Sequence, residues 1–234
     1  MEFVEKLLDF GLTRQEATIY EALLLHGEVT GYEVAKLTGI SRSNTYNALA
    51  GLVEKGAAYI IEGQVTKYTP VEVKDFSTNI IRNLTLLQKD LMESAPKKQV
   101  ESEGYVTIKG RKHVMNQLYN MFEKVEHRVY ILADSELLES VRPKLIEMRE
   151  KGNKVVIITD SEKFQMEGII IHYSETAIHQ FGIIIDSVEV LTGDLKQGEN
   201  IACLYSKNSN FVAVFKEMLS NKIRLIILQG GNEQ

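Results

Sequence analysis

From Glu2 to about Gly56 apolar residues recur every three or four positions and are interrupted by glycine, the pattern of several short amphipathic helices. Thr13-Arg14-Gln15-Glu16 has the form of a capping box, with Thr13 as N-cap and Glu16 three residues on. Ala17, Tyr20, Leu23 and Leu24 follow at helical spacing up to Gly27. A second helix is predicted from Thr30 to Leu37, ending at Gly39, and a third from Ser41 to Lys55, stopping at Gly56. The period then changes. Ala57–Glu62 and Val65–Pro70 are β-rich, and Gly63-Gln64 between them suits a tight hairpin.

A single long helix is predicted from Val71 to Ala95, with Val73, Ile80, Leu84, Leu87 and Leu91 on its apolar face. The last four lie at spacings of 4, 3 and 4, a heptad-like seam about two heptads long. Pro96 ends it, and the charged run Lys97–Glu103 reads as a linker. From Tyr105 onward strands and helices alternate. Strands are expected at Tyr105–Lys109, Arg128–Ala133, Lys154–Thr159, Gly168–Tyr173, Phe181–Ile185, Val188–Thr192, Ile201–Tyr205 and Arg224–Leu228. Helices fit Arg111–Lys124, Ser135–Lys151 and Asn208–Asn221. This alternation indicates an α/β domain with a mixed sheet covered by helices. The expected class is α+β overall: a winged helix-turn-helix over 1–70, a helical dimerisation segment over 71–96 and an α/β domain over 104–230.

The net charge of -5 argues against simple coating of nucleic acid. Residues 1–70 hold 6 Lys and Arg against 9 Asp and Glu, so phosphate binding there must come from a local cluster. The N-terminus has no cationic start and no apolar run of signal-peptide length, and no apolar stretch approaches the ~20 residues that span a bilayer. One cysteine, Cys203, cannot form an intramolecular disulfide and reads as a buried core thiol. A cytoplasmic protein without membrane contact is expected.

The segment Gly31–Leu49 carries the first candidate chemistry. Ala35 is the small residue where two crossing helices approach, and Gly39 supplies a turn residue tolerant of positive φ. Ile40, Ala48, Leu49 and Leu52 point inward, which leaves Ser43, Asn44, Asn47 and Gly51 on the other face of the third helix. Short amides and hydroxyls there reach base edges of a double-stranded operator, and Asn pairs bidentately with adenine. Arg42 is placed for a phosphate or a guanine, and the helix N-terminus itself favours a phosphate. Lys67 and Tyr68 would grip the flanking backbone. Tyr46 fits a phosphate contact and half-buried packing equally. Tyr32 is expected in the core, and Glu33 and Glu54 on solvated faces.

These residues also carry a family resemblance. Gly11-Leu12-Thr13, Thr38-Gly39-Ile40-Ser41-Arg42, Tyr46-Asn47-Ala48-Leu49, Leu52-Val53-Glu54-Lys55-Gly56 and Tyr68-Thr69-Pro70-Val71-Glu72 resemble the winged helix of TrmB-type regulators. The resemblance covers residues 1–95. It implies a homodimer that binds an operator and answers a small-molecule effector such as a sugar. The alternative is a winged helix that mediates protein contact only.

A second motif lies further on. His179-Gln180-Phe181 through Asp186 has the spacing of the phospholipase D signature, H-x-K-x-x-x-x-D. In that signature the His is the nucleophile, the Lys neutralises phosphate and the Asp orients the imidazole. Phe181 stands where the Lys belongs, and no second copy occurs. The C-terminal part therefore looks like a degenerate phospholipase D-like domain, as TrmB-type regulators have. The other reading is that His179 flanks a strand and Asp186 opens a hairpin. Candidate ligand residues beyond the predicted strand ends are Asp134, Ser135, Asp160, Ser161 and His179. No cofactor, metal site or catalytic residue is expected. The competing class is a phospholipase D-type phosphodiesterase or nuclease with a DNA-targeting domain.

Overall fold

The computed structural model describes residues 3–96, 104–194 and 201–230. The predicted linker Lys97–Glu103 lies outside them, as do Met1, Glu2 and the tail from Gly231. The chain divides into two compact units, Met1–Lys98 and Gln99–Gln234.

In the first unit the capping signals work as the sequence implies. Thr13 starts α2 (Arg14–His26) and Thr30 starts α3 (Gly31–Thr38), each in a complete capping box with Glu16 or Glu33. Both boxes satisfy N–H groups that a helix start leaves without partners. A short α1 (Phe3–Asp9) precedes them, and α4 (Arg42–Glu54) follows the left-handed Gly39, φ 72°. The strands β1 (Val29–Thr30), β2 (Ala58–Ile61) and β3 (Lys67–Pro70) form an antiparallel sheet in the order β1-β3-β2. The expected two-residue hairpin is corrected: Ile61 pairs with Lys67, leaving residues 62–66 as the loop. Gly63 and Gln64 do not take the positive φ that a two-residue turn demands. Ile19, Tyr20, Leu23, Val34, Leu49 and Leu52 form the core.

The long helix α5 (Val73–Ser94) begins on that same core. Phe76 is buried against Tyr20, ring centroids 5.4 Å apart, and the Tyr20 hydroxyl donates to the Val71 carbonyl at 2.7 Å. Ile80 also packs on the core. Beyond it, every residue from Ile81 to Pro96 is exposed.

An ion pair, buried on the Glu16 side only, ties α2 to the end of α4. The Glu16 carboxylate accepts from the Thr13 N–H and from Lys55 Nζ at 2.6 Å, and Lys55 also donates to the Gly11 carbonyl. Burial raises the Glu16 pKa, but the hydrogen bonds from Lys55 and Thr13 outweigh it and hold the carboxyl below its usual range. A carboxyl depressed in the folded state stabilises above its unfolded pKa, and the contribution is lost as pH falls through the folded value. Lys55→Met should therefore destabilise the unit by about 1–2 kcal/mol at pH 7 and weaken its acid dependence. Thermal melts from neutral to acid pH check this; parallel curves for the two proteins would count against it.

The second unit holds one seven-stranded sheet, β4-β10-β9-β8-β5-β6-β7. Its strands are β4 (Tyr105–Lys109), β5 (Arg128–Leu132), β6 (Lys154–Thr159), β7 (Ile170–Tyr173), β8 (Phe181–Ile185), β9 (Glu189–Asp194) and β10 (Ala202–Ser206). Pairing is parallel across β5-β6-β7 and antiparallel elsewhere. Helices α6 (Arg111–Glu123) and α7 (Ser135–Glu150) cover one face through Val114, Leu118, Leu138 and Leu145. α8 (Ser209–Gly230) covers the other through Val212, Phe215 and Leu219. Central β8 is buried on both faces, and a side chain at Gly182 would overlap the Phe215 ring.

The expected strand Arg224–Leu228 is corrected to the last turns of α8. No glycine or proline interrupts Asn208–Gln229. Ile223 and Ile226, three apart, pack on the α8-side core, while Leu225, Ile227 and Leu228 face outward. A helix wetted on one side reads in sequence as a continuous apolar run.

Candidate nucleic-acid interface and C-terminal cleft

The geometry of α4 follows from which of its residues the core takes. Thr45, Ala48, Leu49 and Leu52 are buried. Ser41 caps the helix by accepting from the Asn44 N–H. Arg42, Ser43, Asn44, Tyr46 and Asn47 are therefore all exposed on the opposite side. No carboxylate stands among them; the first on α4 is Glu54, at its end. Gly51 leaves this face, because a β-carbon there would overlap the Glu16 carboxylate. That corrects its expected place on the reading surface.

Tyr32 is a second correction. It is 53% exposed, and the Arg42 guanidinium lies over its ring, 4.6 Å from the centroid. The signal was present in the spacing: Gly31, Val34 and Thr38 mark the inward stripe of α3, and Tyr32 falls beside it. Tyr32 so joins the candidate face. Tyr46 sits over Gly31, where a side chain would meet its ring, and remains half exposed. Tyr68 is half-buried on the core beside Tyr46, and burial with that neighbour raises its pKa. Lys67 is exposed and lies in register with Thr30. Its charge, after the two Thr30 hydrogen bonds, helps hold the Glu33 carboxyl low. Glu33 thus works as a cap besides facing water.

Stacking of this kind at an exposed site is worth about 0.5–1 kcal/mol. Tyr32→Leu should release Arg42 and weaken operator binding two- to fivefold, while Tyr32→Phe should keep it. Fluorescence anisotropy with labelled operator reads both; equal losses in the two variants would dismiss the stack.

In the second unit a cleft of about 330 Å³ opens beyond the carboxyl ends of β4 and β5. Arg111, Asp134, Glu136, Leu137, Ile178, His179, Gln180 and Phe181 line it. The antiparallel β8 starts at the same end, which brings His179 there. Asp134 caps α7, accepting from the Leu137 N–H at 3.0 Å. Asp160 accepts from the Ile178 N–H at 2.7 Å and so holds the segment before His179. Of the five candidates, only Asp134 and His179 line the cleft. Ser135 opens α7, and the Ser161 carbonyl accepts the Phe164 N–H in a turn. Arg111, Glu136 and Gln180 were missed; Arg111 and Glu136 open two helices, a position that sequence reading treats as capping.

The phospholipase-like motif is dismantled by its own strand. Phe181 is buried in the core. Asp186, φ 47°, accepts from the N–H groups of Glu126, His127 and Arg128. Those three bonds outweigh the effect of burial and hold its carboxyl low. Five strand residues, at ~3.3 Å each, separate it from His179. It cannot orient that imidazole. Elsewhere in the sheet, burial, with Asp194 nearby, pushes the Cys203 thiol up to about 12, as befits a core residue.

Residues 7–74 match the family model described as "Sugar-specific transcriptional regulator TrmB". These residues are similar to a TrmB-type domain. The sugar sensing transcriptional regulator TrmBL1 of Pyrococcus furiosus is 28% identical over 165 residues, 68% of this chain and 47% of its own length. The chain thus spans about half of that relative. The solved structure of TrmBL2, described as an archaeal chromatin protein, is similar over 94% of this chain and 96% of its own, at 20% identity and a TM-score of 0.44. Nuc from Salmonella typhimurium, a phospholipase D family member, is similar over 51% of this chain and 93% of its own, at 14% identity and a TM-score of 0.40. The matched stretch contains every residue of the α4 face. No helix among the described residues is long and apolar enough to cross a membrane.

Proposed function

We propose that this protein is a sequence-specific, homodimeric DNA-binding transcriptional regulator of the cytoplasm, without catalytic activity, whose C-terminal cleft takes a small-molecule effector. The observation that carries the reading is the α4 face of the TrmB-like domain. Arg42, Ser43, Asn44, Tyr46 and Asn47 project together from a helix whose exposed start bears no acidic residue. The domain is net acidic as a whole, but the start of α4 places Arg42 on this face without a carboxylate on the same helix before Glu54. A locally cationic and amide-bearing surface suffices to approach a major groove.

The dimer rests on α5. Leu84, Leu87 and Leu91 continue the stripe that buries Phe76 and packs Ile80 on the core, and each is more than half exposed in the single chain. Two such helices side by side would cover both seams. The effector reading rests on the cleft, at the carboxyl ends of strands where ligands gather in open α/β sheets.

Binding to a DNA selected from a random pool, measured at two salt concentrations, tests the central reading. Affinity should fall steeply with salt and discriminate the selected site from scrambled DNA. Equal, salt-insensitive binding to both would remove it and leave the protein-contact alternative. Turnover of a phosphodiester by the purified protein would overturn the non-catalytic part.

A further inference from the structure

The cleft of the second unit has a chemical character that narrows its ligand. This rests on reading the C-terminal domain as effector-binding. Arg111 and Glu136 stand on the cleft wall with their charges 3.6 Å apart, on the first turns of α6 and α7. Beneath them Leu137, Ile178 and Phe181 are buried apolar residues. His179 and Gln180 add polar groups along the rim. The volume, about 330 Å³, is at the small end of ligand sites.

We propose that this cleft binds an α-amino acid with an apolar side chain. The guanidinium of Arg111 takes the carboxylate through its planar fork. Glu136 takes the ammonium, and the side chain lies on Leu137, Ile178 and Phe181. The match is geometric. Opposite charges on the wall lie side by side, and an α-amino acid carries an ammonium and a carboxylate on one carbon.

Other ligand classes fit less well for stated reasons. A phosphate ester would bring two negative charges against Asp134 and Glu136, with Phe181 where a lysine would neutralise them. A simple carboxylic acid would cover Glu136 without a countercharge. A neutral sugar would take water from both charged groups and return only neutral hydrogen bonds, weaker than charge-assisted ones. A zwitterion can enter the Arg111–Glu136 ion pair and give each side chain a partner of the same sign as the one it gives up.

Isothermal titration of the full-length protein with leucine, valine, methionine and phenylalanine tests this. The controls are 4-methylpentanoate, isopentylamine, maltose and inorganic phosphate. At least one amino acid should bind with a dissociation constant of about 1 mM or tighter. The matching acid and amine should each bind about tenfold more weakly, as should the amino acid to Arg111→Met and to Glu136→Gln. Both substituted side chains are more than half exposed, so the variants should fold, and unchanged melting temperatures verify it. Silence of all four amino acids up to about 10 mM, or binding unaffected by Arg111→Met, overturns the proposal. Preferential binding of maltose or phosphate overturns the ligand class and keeps the effector reading. Operator binding through α4 is measured separately and does not depend on any of these outcomes.

Discussion

Leu84→Glu, Leu87→Glu and Leu91→Glu introduced together are expected to turn the proposed dimer into a monomer and weaken operator binding at least about a hundredfold. The three leucines lie on one stripe of α5, outside the core cluster of the first unit. Each is worth ~1.5–3 kcal/mol when fully buried, and a pair of helices buries six. Only the surplus over the cost of association appears as affinity. Six carboxylates facing one another would remove that surplus entirely. A winged-helix monomer must then hold one half-site alone, and loses the avidity of two linked contacts, a factor of 10²–10⁴. Light scattering gives the mass and anisotropy gives the affinity. A triple variant that stays dimeric would move the interface elsewhere, with the outward face of α8 next to be examined. Loss of the partner helix should also lower the melting temperature and remove its dependence on protein concentration.

Asn47→Ala should cost about 1–3 kcal/mol on the selected operator and relax preference at one base position. Its amide is exposed on the face left by Thr45, Ala48 and Leu49, where a bidentate contact to an adenine edge is available. Lys67→Ala is the contrast. It should weaken every sequence alike and reduce the salt slope by about one unit. Glu33 lies close enough to share that lysine's field, so the uniform loss should be small. Binding to a library of single-base operator variants separates the two patterns. Identical profiles for wild type and Asn47→Ala would mean that another helix reads the groove.

Much of the N-terminal unit was legible because its signals are local. Thr13 with Glu16, Gly39 and Ser41 each act within four residues of themselves, and the helices begin and end there. The exposed face of α4 followed from the residues the core leaves out. Tyr32 was misread because an aromatic ring is apolar by type, although the spacing of α3 sets it beside the inward stripe, and the Arg42 guanidinium over its ring favours exposure. The terminal strand failed similarly, because a helix with a wet apolar flank and a buried strand share one composition. In the cleft, His179 and Asp134 were found from strand ends, whereas Arg111 is 68 residues from His179 in sequence and meets it only through the strand order. Asp186 had the spacing of a catalytic motif and the job of a turn; spacing along a strand says nothing about which end of it the chemistry occupies.

The contact of Tyr20 with Phe76 and Val71 has a mechanical consequence. One core carries both the reading helix and the first turns of α5, so the two move as a single lever. An operator's half-site separation would then be gauged by where two levers cross, like the jaws of a caliper, and a signal that altered the crossing would change which DNA fits without altering a single residue of the reading face.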